Sequence, residues 1–174
     1  MDMNSVNKSD SLWVEKYRPQ TVDDLIVPLK IKSTLQQFVN KGEIPNLILA
    51  GKAGVGKTST ILALAKQLDM DVMFINASLE NGIDILRTKI AEFSASMSLT
   101  GNMKCVILDE SDYLSGSAQP GFRAFIEKFS RTTRFVFTCN YSNRIIDPLK
   151  SRCTVIDYDF PPEEKKELLK QMII

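Results

Sequence analysis

Apolar residues follow two rhythms along this chain. Short unbroken runs occur at Leu47-Ile48-Leu49-Ala50, Val72-Met73-Phe74-Ile75, Cys105-Val106-Ile107-Leu108, Phe135-Val136-Phe137-Thr138 and Thr154-Val155-Ile156. Runs of this length predict strands, and the first is short enough for a buried one. Between them apolar positions step by three and four: Ile31, Leu35, Phe38 and Val39; Ile61, Leu64, Ala65 and Leu68; Ile83, Leu86, Ile90, Phe93 and Met97; Phe122, Phe125, Ile126 and Phe129. That spacing predicts amphipathic helices. Gly42 and Pro45 should end the first helix, Asp84 suits the positive start of the third, and Gly101-Asn102 should turn the chain. The alternation predicts an α/β fold, a parallel five-stranded sheet with helices on both faces and right-handed crossovers. Ligand is then expected at the C-terminal ends of the strands.

The ends of the chain are less regular. Residues 1–10 are polar, lack the apolar core of a signal peptide, and are expected as a disordered arm. Residues 11–160 read as one core. Pro161-Pro162 then breaks the chain before a helix from Glu163. Lys166, Glu167, Lys170 and Gln171 should face one way on it. Leu168, Leu169, Met172 and Ile173 should face the other, with Lys165 intruding, and that stripe wants a partner.

Composition removes several chemistries. With 174 residues, 44% hydrophobic and 25% charged, the chain reads as one globular domain. Its net charge of +1 advertises no general affinity for nucleic acid, so any such contact must be local. Histidine is absent, which excludes Ser-His and Cys-His catalysis. Cys105, Cys139 and Cys153 lack metal-ligand spacing and read as reduced thiols. No apolar run approaches the roughly 18–20 residues that span a membrane. A cytoplasmic protein without membrane contact is expected.

Gly51-Lys52-Ala53-Gly54-Val55-Gly56-Lys57-Thr58 fits G-x-x-x-x-G-K-[ST], between a predicted strand and a predicted helix. A loop that wraps polyphosphate must turn tightly and aim backbone N–H groups inward, which the glycines permit. Lys57 would reach the β- and γ-phosphates, Thr58 would hold Mg²⁺, and the helix would offer its N-terminus to the anion. The third strand ends in Asp109-Glu110. Asp109 would hold Mg²⁺ opposite Thr58, and Glu110 would activate the attacking water. Other residues stay open on their own chemistry. Asn140 can cap a turn or touch the γ-phosphate. Arg152 and Arg87 read as solvated surface. The segment 11–28, with Trp13, Tyr17, Leu25, Ile26 and Val27 between prolines, can cap the core or close over the nucleotide base with Arg18 near the phosphates.

Several motifs in order give the chain a resemblance. Trp13-Val14-Glu15-Lys16-Tyr17-Arg18-Pro19, the loop and its continuation through Ser59 to Ala65, Asn81-Gly82-Ile83-Asp84-Ile85-Leu86-Arg87, Asp109-Glu110-Ser111-Asp112, Thr133 through Asn140 and Ser151-Arg152-Cys153 resemble those of clamp loaders of the replication-factor-C type. It is similar to archaeal and tailed-phage small subunits, which for a phage would mean the host cytoplasm. The resemblance implies an AAA+ ATPase core with ATP and Mg²⁺. It implies a pentameric hetero-oligomer with other loader subunits, a sliding clamp and primer–template DNA as partners. It assigns ATP binding to Glu15, Tyr17, Arg18, Ile26, Val27, Gly51, Lys52, Ala53, Gly54, Val55, Gly56, Lys57, Thr58 and Ser59. Catalysis falls to Lys57, Glu110, Asn140 as a γ-phosphate sensor, and Arg152 as a finger into the neighbouring subunit's site. DNA contact falls to Gly82, Ile83 and Arg87. Gln119 and Arg123 would lie where the family couples DNA to the position of Glu110.

Three departures stand against it. Lys52-Ala53 replaces a usual Pro-Pro, and Pro120-Gly121 is expected to interrupt the coupling helix. Residues 161–174 would begin a truncated lid, and lid and collar would be missing. Other readings are a nucleotide-gated scaffold with little hydrolysis and a different AAA+ DNA motor.

Overall fold

Each predicted strand forms, and strand polarity brings the ends that carry chemistry together. The computed structural model describes residues 18–79, 83–98 and 101–171. Its elements run α1 (Leu29–Lys41), β1 (Leu47–Ala50), α2 (Lys57–Gln67), β2 (Asp71–Asn76), α3 (Ile83–Ala95), β3 (Lys104–Asp109), α4 (Gln119–Lys128), β4 (Thr133–Cys139), α5 (Asp147–Lys150), β5 (Thr154–Asp157) and α6 (Pro162–Gln171). Single 3₁₀ turns occupy Ser111–Tyr113 and Ser142–Arg144. The strands make one five-stranded parallel sheet in the order β2-β3-β4-β1-β5.

Side-chain alternation along the strands divides the core into two layers. Leu47 and Leu49 of β1 face the side where Ile31 and Leu35 of α1 and Ile61 and Leu64 of α2 pack, with Ile107, Val136 and Ile156. Ile48 and Ala50 face the opposite side. There Leu86 and Ile90 of α3, Phe122 and Ile126 of α4 and Leu149 of α5 cover Val106, Leu108, Phe135 and Phe137. Phe122 meets Phe137 edge-on at 5.9 Å between ring centroids. β1 lies between β4 and β5, so the chain leaves it in one direction for β2 and later returns on its other side with β5. Ligand sites form at such a switch, outside the strands' C-terminal ends.

Local punctuation behaves as the residue types dictate. Gly42 takes φ 73° after α1, and its N–H closes on the Val39 carbonyl at 3.0 Å. Two expectations need correcting. Pro120 does not interrupt α4; it occupies the first turn, where a missing N–H costs nothing. Met97 is not part of the apolar stripe of α3, because the helix ends at Ala95 and Met97 is 91% exposed. The stripe on α6 is partly covered: Leu168 is half-buried, whereas Leu169 is 56% exposed. The expected arm at residues 1–10 lies outside the described residues, as do Met172 and Ile173.

Candidate functional site: the phosphate loop and the strand ends beside it

β1 delivers the glycine loop directly to α2. Gly51, Gly54 and Gly56 take φ of 149°, 77° and 90°, conformations that side chains resist. At Gly51 there is also no room. A Cβ would stand 2.7 Å from Tyr158 Cβ and 3.1 Å from the Tyr158 carbonyl carbon. Tyr158 is fully buried, and its hydroxyl donates to Thr60 Oγ1 at 2.9 Å in the first turn of α2. Thr60 Oγ1 in turn donates to the Gly56 carbonyl at 2.9 Å. The segment after β5 therefore braces both ends of the loop.

Lys57 is 7% exposed. Its ammonium donates to the carbonyls of Gly51 (2.6 Å) and Lys52 (2.9 Å) and to Asn140 Oδ1 (3.1 Å). Burial lowers its pKa, and neighbouring Cys139, Asp109, Asp112 and Glu110 oppose that shift. Burial, chiefly, pushes the Cys139 thiol up to about 11, so it is neutral at pH 7 and the carboxylates give the ammonium its support. Asn140 does not cap the following 3₁₀ turn, which lacks a side-chain cap; its amide oxygen faces Lys57. Its N–H contacts Asp112 Oδ1 at 3.4 Å.

Thr58 Oγ1 donates to Asp109 Oδ1 at 2.9 Å, joining the two motifs across the strand ends. A second hydroxyl, which the motifs did not point to, completes the contact. Thr138 donates to the same Asp109 oxygen at 2.5 Å and accepts the Glu110 N–H at 3.1 Å. Glu110 sits at φ 55°, in the left-handed region a β-carbon disfavours. Thr138 thus holds both acidic residues of the pair. The available signal was a hydroxyl, 2% exposed, closing an otherwise apolar strand run. Thr138→Val should lower stability by about 1–3 kcal/mol, since the Glu110 N–H loses its partner. The lost positioning should also reduce turnover roughly 10–100-fold. Urea unfolding and steady-state kinetics on the same preparation check both.

A cavity of about 590 Å³ lies against the loop, lined by Leu25, Ile26 and Val27 on one side and Gly54, Val55, Gly56 and Ser59 on another. Phe160, Lys165 and Leu168 close it from the end of the chain. Such a volume with an apolar wall suits a purine base. Asp24 organises the strand of chain that carries Leu25 to Val27. Its Oδ2 accepts the N–H groups of Gln20 (3.1 Å) and Thr21 (2.9 Å) and the Thr21 hydroxyl (2.9 Å). Those bonds, the Thr21 hydroxyl first, hold its carboxyl below the usual carboxylate range. Ile26 and Val27 are thus brought to the loop. Arg18 lies in the segment leading to this wall, and Pro19 lines the cavity itself. Lys52 and Ala53 sit exposed at the loop tip. Glu15 and Tyr17 lie outside the described residues, as does Gly82.

The remaining candidates are those assigned to DNA and to a neighbour. Ile83 opens α3. The Arg87 guanidinium is seated on Gly121 of α4, where an added Cβ would come within 2.8 Å of Nη2. Gln119 is 2% exposed; it donates to the Arg144 carbonyl at 2.9 Å and accepts the Ile146 N–H at 2.8 Å. It thereby ties the start of α4 to the loop after β4. Arg152 follows α5 and pairs with Glu127 of α4, with Nη2 at 2.8 Å from Oε1. Among the described residues no group of three or more Cys, Asp or Glu is placed to hold a metal by itself. No helix among them is long and apolar enough to cross a membrane. Cys105, Cys139 and Cys153 are free thiols.

Comparison with known proteins gives this arrangement its lineage. The model of the ATPase family associated with various cellular activities (AAA) matches residues 47–159. The chain is 50% identical over 149 residues to Replication factor C subunit 5 of Homo sapiens, covering 82% of this chain and 44% of that protein. It is 43% identical over 168 residues to the Replication factor C small subunit of Picrophilus torridus, covering 93% and 52% respectively. It spans about half the length of these curated relatives. Among solved structures, the RuvB Holliday junction branch migration motor of Thermotoga maritima superposes with a TM-score of 0.70 at 24% identity, covering 89% of this chain and 53% of that one. At that identity the likeness is one of fold. The chain belongs to the AAA ATPase family, and these curated relatives within it are replication factor C subunits.

Proposed function

We propose that this chain is the ATP-hydrolysing core of a clamp-loader subunit, which opens a sliding clamp and places it on primer–template DNA. The observation that carries the reading is the convergence of Lys57, the Thr58–Asp109 pair, Glu110 and Asn140 at the ends of β1, β3 and β4. A scaffold subunit that only binds nucleotide would have no need to keep all of them.

The parts divide the work as follows. The loop's N–H groups and the start of α2 receive the phosphates, and Lys57 reaches towards the β- and γ-phosphates. Asn140 reports the γ-phosphate, since its amide already contacts the Lys57 ammonium. Thr58 and Asp109 offer adjacent hard oxygens, the donor set Mg²⁺ takes when phosphates and waters fill its other positions. Mg²⁺ held by these two residues would supply positive charge against the phosphates. Glu110 orients and deprotonates the attacking water, aimed by its unusual backbone and by Thr138. Leu25 to Val27 wall the base. Arg152 completes the ATP site of a neighbouring subunit in a pentameric hetero-oligomer, which ties hydrolysis to assembly. Gly82, Ile83 and Arg87 serve DNA, and α6 begins a lid.

The test is Mg²⁺-ATP turnover per chain as chain and partner subunits are raised together, with and without a sliding clamp and primed DNA. Specific activity should rise with assembly and again with clamp and DNA. Turnover indifferent to assembly would reject a shared site. Turnover indifferent to both clamp and DNA would reject the loader reading.

A further inference from the structure

Arg152 is not simply solvated. Its Nε donates to Glu127 Oε1 at 2.9 Å, with Nη2 paired to the same oxygen at 2.8 Å, and its Nη1 donates to the Pro148 carbonyl at 2.9 Å and Ser151 Oγ at 3.2 Å. Both faces of the guanidinium fork are thus engaged within its own subunit. Arg123, one helical turn before Glu127, donates to the same Oε1 at 3.3 Å. The two arginines hold the Glu127 carboxyl below the usual carboxylate range, the Arg152 bond first, so it is ionised at neutral pH.

We infer that Glu127 is a positioning residue for the arginine finger: it holds the Arg152 guanidinium on its own subunit and competes with the neighbour's γ-phosphate for the same donors. This rests on the reading of Arg152 as a finger acting in trans. The chemistry of the competition is direct. A carboxylate and a phosphate ask the same side of a guanidinium for parallel N–H bonds. Arg152 cannot give Nε and Nη2 to both at once. The hold is weak enough to lose. Glu127 is about half exposed, and Arg123 takes a share of the same oxygen. Exposed pairs of this kind shift an equilibrium by about two- to fivefold. A dianionic γ-phosphate in a water-poor site outbids it. A loaded neighbour therefore shifts the finger from Glu127 to the phosphate.

Two measurements on the full chain separate the possibilities. The first is the water-exchange rate of the Arg152 Nε–H in ¹⁵N spectra, assigned by its loss in Arg152→Lys. It should be slow in the parent and severalfold faster in Glu127→Gln and Glu127→Ala; an unchanged rate overturns the proposal. The second is ATP turnover against concentration in the assembly with partner subunits. Glu127→Gln should reach half-maximal turnover at about two- to fivefold lower concentration with the same plateau. A higher half-maximal concentration or a lower plateau would make Glu127 part of the productive contact and overturn competition. Arg152→Ala in the same assay tests the finger. A plateau it leaves intact removes the finger reading and the proposal with it. A plateau it abolishes, beside an unmoved Glu127→Gln curve, overturns the proposal alone.

Discussion

Arg152→Ala should lower ATP turnover of the assembled protein by about 10³–10⁵-fold while leaving nucleotide binding by the same chain unchanged. Such a finger meets charge that develops on the phosphoryl group as its bond to the leaving oxygen breaks, so its effect falls on kcat. The structure gives reason to look for that charge on another subunit. The Arg152 contacts are Glu127, Pro148 and Ser151, on the α4–α5 side of the molecule. None of Lys57, Asp109, Glu110 or Asn140 is among them. Mixing provides the check. Chains carrying Arg152→Ala still have an intact loop, and chains carrying Lys57→Ala still have an intact finger. Together they should form some complete sites and regain part of the lost turnover. Mixtures no more active than either variant would mean that no two copies of this chain share a site.

Glu110→Gln should retain ATP affinity and lose turnover by about 10²–10⁴-fold. Glutamine keeps the shape and loses the charge that takes the proton from water. The backbone at φ 55° and the Thr138 bond to its N–H should persist, because neither depends on the carboxylate. The measurement is equilibrium binding of a fluorescent ATP analogue alongside single-turnover hydrolysis. Loss of both together would indicate a collapsed strand end and not a missing base. Turnover near that of the parent would remove Glu110 from the reaction.

How much of this was legible follows from which physical rule governed each part. The strands were readable because β1, β3 and β4 are buried along their length and so are apolar at successive positions, and because every run is too short for a helix. The exposed alternate positions of the edge strands β2 and β5, such as Phe74 and Val155, were not readable. Helix spacing was readable too, except where an element ended early, as at Met97. The phosphate loop and Asp109-Glu110 were readable because wrapping polyphosphate and holding Mg²⁺ demand fixed residue types at fixed spacing. Thr138 was not, since a threonine in a strand has many ordinary reasons to be there. Its role depends on β3 and β4 lying side by side, a long-range pairing that spacing does not encode. Glu127 was hidden for the same reason: it reads as one more charge on a helix until α5 places Arg152 beside it. Pro120 shows the reverse error. A proline is a breaker inside a helix and a good start to one, and only the location of the first turn decides between them.

The close approach of Gly51 to Tyr158 bears on how such chains can diverge. Any β-carbon at position 51 would press on the Cβ and carbonyl carbon of Tyr158, so trimming the tyrosine ring would relieve nothing. A smaller hydrophobe at 158 would surrender the hydroxyl that steadies Thr60 and still leave the clash. Position 51 is therefore closed to drift whatever its distant neighbour becomes. Position 158 is free to change only if another anchor for the first turn of α2 arises with it. Lineages descended from this fold should show an unvarying glycine at the loop's entrance, and substitutions at the tyrosine paired with changes at position 60.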